Sequence, residues 1–453
     1  MPNQQKSASI LNKTNSLVKA RCKNFGPNKK QEISRLIFEI AKRENIPPSG
    51  VAASLDSDDF HDLKASLLKR RFPIAYAWQK NIRAYLAKPQ ISSNRDKADL
   101  RRKNFMPKRV FAESAVKESA LLRRLRQKFP QAKVHYIDSL KAYIQSRPRF
   151  TTADYNLRRD RIFITRQQHD FFKKCPCTKN ALSCGYHVFN LGFGCIFDCS
   201  YCYLQEYSNA PGIILPADTG AFFRDFPSYY RKNSTRNFRI GSGEFSDSLM
   251  LDDLSEYSPA IVDFMRGWRD AVFEFKTKST NIANLLKAKH GGNIVVSWSL
   301  NPQGIIDKNE FFTASLAERL AAAVKIVSCG YRAGFHFDPI FYFSGWRKQY
   351  LAIVDSLFDK IKAKDIAWIS LGTFRFSRGL KSVIEARFPD NRILDGELIL
   401  GYDNKLRYPD RIRLEIYDFM IKALSRHCRK IPLYLCMEDI SMWRELGISS
   451  PFY

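Results

Sequence analysis

Cys195, Cys199 and Cys202 stand in the run Gly194-Cys-Ile-Phe-Asp-Cys-Ser-Tyr-Cys-Tyr-Leu-Gln205. Thiolates are the ligands of iron-sulfur clusters, and three on one short loop can hold three irons of a 4Fe-4S cube. The fourth iron is then free to take a small molecule, as catalytic metal sites keep one position free of protein. The alternatives are a structural zinc site or three unrelated buried thiols. A zinc knuckle wants a second CxxC or His pair at matching distance. Cys175, Cys177 and Cys184 precede the loop and raise the question of a second metal. Only His187 or His169 is near enough in sequence to complete such a site, and the reading here is against one. Cys22, Cys329, Cys428 and Cys436 read as arm or core thiols.

A second chemical run is Gly241-Ser242-Gly243-Glu244. Small residues let backbone approach a ligand, and a carboxylate can take an ammonium group. A plain turn is the alternative. Lys278 and Ser299 each follow an apolar run and are polar groups aimed at a ligand or at solvent. His336 sits in a strand pattern and belongs to the core or to a pocket.

The elements that must position these residues begin after residue 155, where short apolar runs alternate with longer helical patterns, the rhythm of parallel βα units. Strands are expected at 187–191, 237–241, 271–276, 294–300, 332–337 and 366–373, with helices at 258–268, 280–289, 315–328 and 346–362. Six strands fit a partial (β/α)6 barrel over 155–445. Chemistry in parallel barrels collects at the C-terminal strand ends, which places the cysteine loop after the first strand and Glu244 after the second.

Residues 1–150 carry 33 Lys and Arg against 12 Asp and Glu, +21 of the formal +29. Such a field attracts a polyanion whose binding releases counterions, and nucleic acid is favoured over an anionic membrane or mere solubility. The first 30 residues hold no acidic side chain and read as a basic disordered arm; they also suit an organellar transit peptide. Residues 31–145 read as a basic, mainly helical module, with helices at 31–44, 58–71, 75–86 and 113–129 and a charged linker at 92–109. No stretch approaches the about 18 apolar residues of a membrane span. Ten cysteines at irregular spacing are not a disulfide framework, so a reducing compartment, the cytoplasm, is expected.

The cysteine loop is similar to that of radical SAM enzymes. Cys199-Ser-Tyr-Cys-Tyr-Leu-Gln205, Lys287-Ala-Lys-His-Gly-Gly292, Ser299-Leu-Asn301, Gly334-Phe-His-Phe-Asp-Pro-Ile340 and Gly345-Trp346 together resemble the spore photoproduct lyase family. Residues 368–373, 405–408 and 433–438 extend the likeness, which covers about 160–445. The resemblance implies an α/β radical SAM partial barrel with a 4Fe-4S cluster on Cys195, Cys199 and Cys202. It implies S-adenosylmethionine near Tyr203, Ser242, Gly243, Glu244, Lys278, Ser299 and Asp338, an external one-electron reductant, and repair of a photolesion or related damage, with DNA favoured over RNA. Tyr201 and Tyr203 match the family's radical-relay tyrosines. Radical modification of RNA, protein or a small molecule is the alternative activity, and a nucleic-acid-binding protein with a structural or redox-sensing cluster is the alternative class. One position departs: Glu244 stands where the family carries its hydrogen-donating cysteine, and a carboxylate cannot donate a hydrogen atom as a thiol can.

Overall fold

The computed structural model describes residues 6–79, 81–91, 96–101, 104–148, 150–166, 172–234, 238–450 and 452. His169, residues 1–5 of the expected arm and residues 92–95 and 102–103 of the expected linker lie outside the described residues. The strands are β1 (Arg109–Glu113), β2 (Lys133–Ile137), β3 (Arg161–Thr165), β4 (Phe172–Lys174), β5 (Tyr186–Phe189), β6 (Asp198–Cys199), β7 (Ile213–Pro216), β8 (Phe238–Ser242) and β9 (Ala271–Thr277). There follow β10 (Ile294–Ser299), β11 (Glu310–Phe311), β12 (Arg332–Ile340), β13 (Ile366–Thr373), β14 (Arg375–Phe376), β15 (Ile399–Leu400), β16 (Leu406–Arg407) and β17 (Leu433–Leu435).

The six expected barrel strands form consecutive neighbours, β5-β8-β9-β10-β12-β13, all parallel. Every residue of β8, β10 and β13 is buried, as befits parallel strands covered on both faces. The helices Tyr257–Met265, Leu316–Ser328 and Trp346–Lys360 supply crossovers. Ser315 and Glu318 start the second of these with a reciprocal capping box. The sheet is wider than expected, because β17 adds a parallel strand at one edge and β4 an antiparallel one at the other. The chain after β4 then reaches across to the far edge. Leu182 N–H donates to Glu438 O at 2.8 Å, Ala181 bridges Asp439, and the Thr178 hydroxyl donates to Asp403 at 2.7 Å. Residues 175–184 thereby strap the two edges of the half-barrel together.

The N-terminal expectations need three corrections. Residues 6–21 are not a disordered arm but a helix, α1 (Lys6–Arg21), whose Val18 packs with α2 (Pro27–Glu44), α3 (Pro48–Ala52), α4 (Phe60–Arg71) and α5 (Pro73–Trp78) in one small core. Val18, Ile33, Leu36, Ile37, Ile40, Leu63 and Leu67 are its buried face, and lysines are spread over the outside. The helix expected at 75–86 stops at Trp78. The mainly helical module expected to reach 145 gives way to strands, since β1 and β2 join β3 and β7 in a parallel sheet of order β2-β1-β3-β7. That sheet spans the expected boundary near 150 and ties it to the segment after the cysteine loop.

The helical module is fastened by buried charge. Glu39 lies among Arg35 (2.6 Å), Arg71 (2.7 Å) and Lys381 (2.8 Å), and Arg35 also pairs with Glu385. Burial alone would raise the Glu39 carboxyl; the Lys381, Arg35 and Arg71 cations outweigh it and hold it well below the usual range. A buried ion set of this kind is costly to break one partner at a time.

Candidate active site

The cysteine loop leaves the C-terminal end of β5 and is gathered by its own carbonyls. Gln205 Nε2 donates to the carbonyls of Cys199 (3.1 Å), Ser200 (2.9 Å) and Cys202 (3.1 Å). Arg158 donates to Cys195 O (3.2 Å) and Phe197 O (2.7 Å). These two side chains are themselves held. Arg387 donates to the Gln205 side-chain oxygen and grips both Asp198 oxygens at 2.9 and 2.8 Å, and Asp198 also pairs with Arg158 at 3.2 Å. The β6–β11 ladder pairs Cys199 with Glu310 and Asp198 with Phe311. The loop is thus set by buried charges before any ligand arrives.

Burial pushes the Cys195 thiol up to about 12, with Asp247 and Cys202 adding to the rise, and burial likewise raises Cys199 and Cys202. One buried and two half-buried thiols, all raised by desolvation, are a poor place for thiolates alone and a good one for thiolates bound to a cationic metal cluster. The donor set, three sulfurs on one tethered loop, fits a 4Fe-4S cluster with one open iron.

A second buried node lies beside the loop. The Glu310 carboxylate accepts from the Tyr201 hydroxyl, from Asn301 Nδ2 (2.9 Å) and from Arg319 (2.6 Å), while Tyr350 holds Asn301 at 2.9 Å. Arg319 also donates to Ser299 O at 2.8 Å. Burial would lower the Lys278 ammonium, but Glu310 and Cys199 raise it, so it stays charged. Its backbone N–H donates to Asp247 at 2.7 Å, and Asp247 also accepts from Thr277 at 2.6 Å.

At the end of β8, Gly243 has φ +117°, open to glycine alone at low cost. A Cβ on Gly241 would lie 2.6 Å from Glu274 O. The Ser242 hydroxyl donates to Ser248 at 2.9 Å, so it is committed within the loop. Glu244 pairs with Lys173 on β4 at 2.8 Å, and the Tyr203 hydroxyl donates to Glu244 O. Burial raises the Glu244 carboxyl and Lys173 pulls it back. At the end of β12, Asp338 pairs with Arg375 (3.0 Å), and Arg375 reaches Cys436 Sγ at 3.4 Å. A Cβ on Gly372 would sit 2.5 Å from Asp338 Oδ1, so glycine is needed there.

The sequence-derived residues therefore fall into linked groups rather than one ring. Cys195, Cys199, Cys202 and Lys278 lie together, Tyr203 meets Glu244, and Asp338 belongs with Arg375. Tyr201 and Tyr203 diverge, one hydroxyl on Glu310 and the other on Glu244 O. His336 is a barrel-core residue, 2.9 Å from Glu274, which also takes Trp368 Nε1 at 3.0 Å and the Ser297 and Tyr186 hydroxyls. Asp198 and Gln205 were inside the quoted motif and could have been found there as charged and amide groups in a buried loop. Arg158, Glu310, Arg387 and Lys173 carry no local signal.

The family model described as spore photoproduct lyase matches residues 105–398. The chain belongs to the spore photoproduct lyase family. The spore photoproduct lyase of Geobacillus sp. (strain Y412MC61) is 26% identical over 336 residues, covering 72% of this chain and 96% of the relative. That of Bacillus subtilis (strain 168) is 28% identical over 209 residues, covering 45% and 61%. A solved spore photoproduct lyase complexed with dinucleoside spore photoproduct superimposes with a TM-score of 0.63 at 25% identity, over 73% of this chain and 99% of the other. A mutant spore photoproduct lyase solved with bound AdoMet and the same dinucleoside gives a TM-score of 0.61 at 25% identity, over 74% and 99%. The family match begins at residue 105, so the helical module α1–α5 lies before it.

Proposed function

We propose that this chain is a radical SAM lyase acting on a photolesion or related damage in DNA, with Cys195, Cys199 and Cys202 holding a 4Fe-4S cluster. The observation that carries the reading is the cysteine loop at the C-terminal end of β5, with the carbonyls of all three cysteines tied to Gln205 and Arg158. When bound there, such a cluster would supply the electron, drawn from an external one-electron donor, for reductive cleavage of S-adenosylmethionine. Lys278, a half-buried ammonium, offers a charge to the cofactor carboxylate. Glu244 takes the amino group by exchanging Lys173 for it, and Gly243 lets backbone approach. Ser299 and Asp338 serve the ribose and adenosine side, and Tyr203 stands over the loop. Tyr201, fixed on Glu310, positions that wall.

Anaerobic reconstitution followed by assay for 5'-deoxyadenosine tests the reading. The expected result is one cluster per chain and reductant-dependent 5'-deoxyadenosine; a loaded cluster with no cofactor cleavage favours a structural or redox-sensing role. Glu244→Ala is expected to keep the cluster and weaken cofactor binding. Unchanged affinity would remove Glu244 from the cofactor site.

The helical module and its neighbours carry the basic surface proposed for DNA. Removing residues 1–150 is a poor test, because it would strip β1 and β2 from their sheet and leave Lys381 and Glu385 without Glu39 and Arg35. Neutralising the exposed Lys13, Lys19, Lys23 and Lys69 to Gln leaves those contacts alone. The log affinity against log salt slope should then fall by about 0.9 for every duplex phosphate contact removed, with cluster loading unaltered. An unchanged slope would move the DNA surface onto the barrel. Among the described residues no helix is long and apolar enough to cross a membrane. The ten cysteines are all free, which supports a reducing compartment, the cytoplasm.

A further inference from the structure

The helix Arg378–Arg387 holds the cysteine loop at both of its ends. At its start the hydroxyl of Ser377, its cap residue, donates to Glu206, and at its finish Arg387 grips Asp198 and Gln205. Its flank belongs to the helical module. Lys381 and Glu385, one turn apart, take Glu39 at 2.8 Å and Arg35 at 3.1 Å. A second line of contacts runs beside the first. Lys42 Nζ donates to the carbonyls of Pro389 (2.9 Å) and Asn391 (2.7 Å), and Ser7 N–H donates to Asp390 at 2.9 Å. Asn391 Nδ2 donates to Asn309 Oδ1 at 2.9 Å, and the Ser200 hydroxyl donates to the same oxygen at 2.9 Å. Ser200 N–H donates to Asn309 O at 2.7 Å, and Ser200 lies between Cys199 and Cys202. Both lines cross the limit of the family match: Arg35, Glu39 and Lys42 precede residue 105, whereas their partners lie within 105–398.

We propose that the module α1–α5 is a positioning element of the cluster site, and that Arg35, Glu39 and Lys42 are positioning residues for the loop of Cys195, Cys199 and Cys202. This rests on the reading of those three thiols as cluster ligands. The physical reason is order: three thiolates must meet three irons in one geometry, and a loop free to sample several arrangements loses that freedom on loading. A ten-residue helix in a close-packed interior moves as a unit, so fixing its flank at Lys381 and Glu385 fixes Glu206 at one end and Asp198 and Gln205 at the other. Lys42 fixes the turn at 389–391 that follows the helix, and the Asn391–Asn309 pair carries that hold to Ser200. The cysteine loop is thereby built on elements inside the family match and clamped by residues that lie before it.

The test has two arms on the full chain. The first needs neither cluster nor turnover: iodoacetamide labelling of the apo protein, read by peptide mass spectrometry. Lys42→Met keeps the aliphatic stem and removes the donor. Cys195, Cys199 and Cys202 are expected to label together about tenfold faster, the effect of losing a hydrogen bond from a charged donor. Cys22, buried in the module core, and the exposed Cys329 should keep their wild-type rates. Lys42→Arg, which retains donors for both carbonyls, should restore the protection. Lys381→Met, which leaves Glu39 paired with Arg35 and Arg71, should act in the same direction as Lys42→Met. Unchanged loop rates in both Met variants overturn the proposal, as does a parallel rise at Cys22, which marks general loss of stability rather than release of the loop. The second arm is electron paramagnetic resonance of the reconstituted, reduced protein. Wild type should give one signal that shifts when S-adenosylmethionine is added, and the Lys42→Met, Lys381→Met double variant a broadened, mixed one. An identical spectrum in the double variant overturns the proposal. Absence of a cluster from wild type instead sinks the ligand reading, and the labelling arm still judges the module.

Discussion

Replacing any one of Cys195, Cys199 and Cys202 by Ala should abolish both the brown chromophore of the reconstituted protein and all formation of 5'-deoxyadenosine. Three thiols on three irons leave the fourth iron open, and among the described residues no fourth thiol shares the loop. Cys175, Cys177 and Cys184 belong to the strap, on a separate stretch of chain that bonds to residues 438 and 439. The loop itself should survive the change, because its carbonyls, not its thiols, make the contacts to Gln205 and Arg158. Far-ultraviolet circular dichroism and the melting temperature of the apo protein should therefore stay near wild type. Full cluster retention by any of the three variants would refute the ligand assignment.

Asp198→Asn should damage the same loop by the opposite route, with every thiol left in place. Asp198 is buried between Arg158 and Arg387, and losing its charge leaves two guanidiniums facing each other without a counter-ion. Breaking one partner of a buried ion set costs about 3–5 kcal/mol, a large share of a domain's stability. Asp198 anchors Arg387, Arg387 orients Gln205, and Gln205 gathers the carbonyls of Cys199, Ser200 and Cys202. The expected result is a lower melting temperature together with poor cluster loading. Wild-type stability and loading in Asp198→Asn would mean that the ladder between Cys199 and Glu310 suffices to hold the loop.

Much of this site was legible because its parts are local. Cysteine spacing needs only a few residues of chain, and the glycines of 241 and 243 announce a place where backbone must approach something. The six barrel strands were legible for a related reason: a parallel strand buried on both faces is a near-continuous apolar run, and Ile294–Ser299 and Ile366–Thr373 are such runs. The N-terminal helix Lys6–Arg21 was not, since its sparse apolar positions and lack of acidic residues resemble a solvated arm until α2 supplies a surface for Val18. The helix expected over 75–86 failed past Trp78, where the chain runs along another element instead, with Arg83 O accepting from Leu400 N–H.

By itself, then, the sequence displayed the thiol spacing and the βα order, because thiol spacing and hydrophobic period are properties of neighbouring residues. What only the tertiary structure decided are the pairings between charges far apart in the chain: Arg387 on Asp198, Lys173 on Glu244, Lys381 on Glu39. It also decided that residues 175–184 close the half-barrel. A buried charge is stable only with its partner, and the partner's identity depends on how strands and helices stack, which no local pattern encodes.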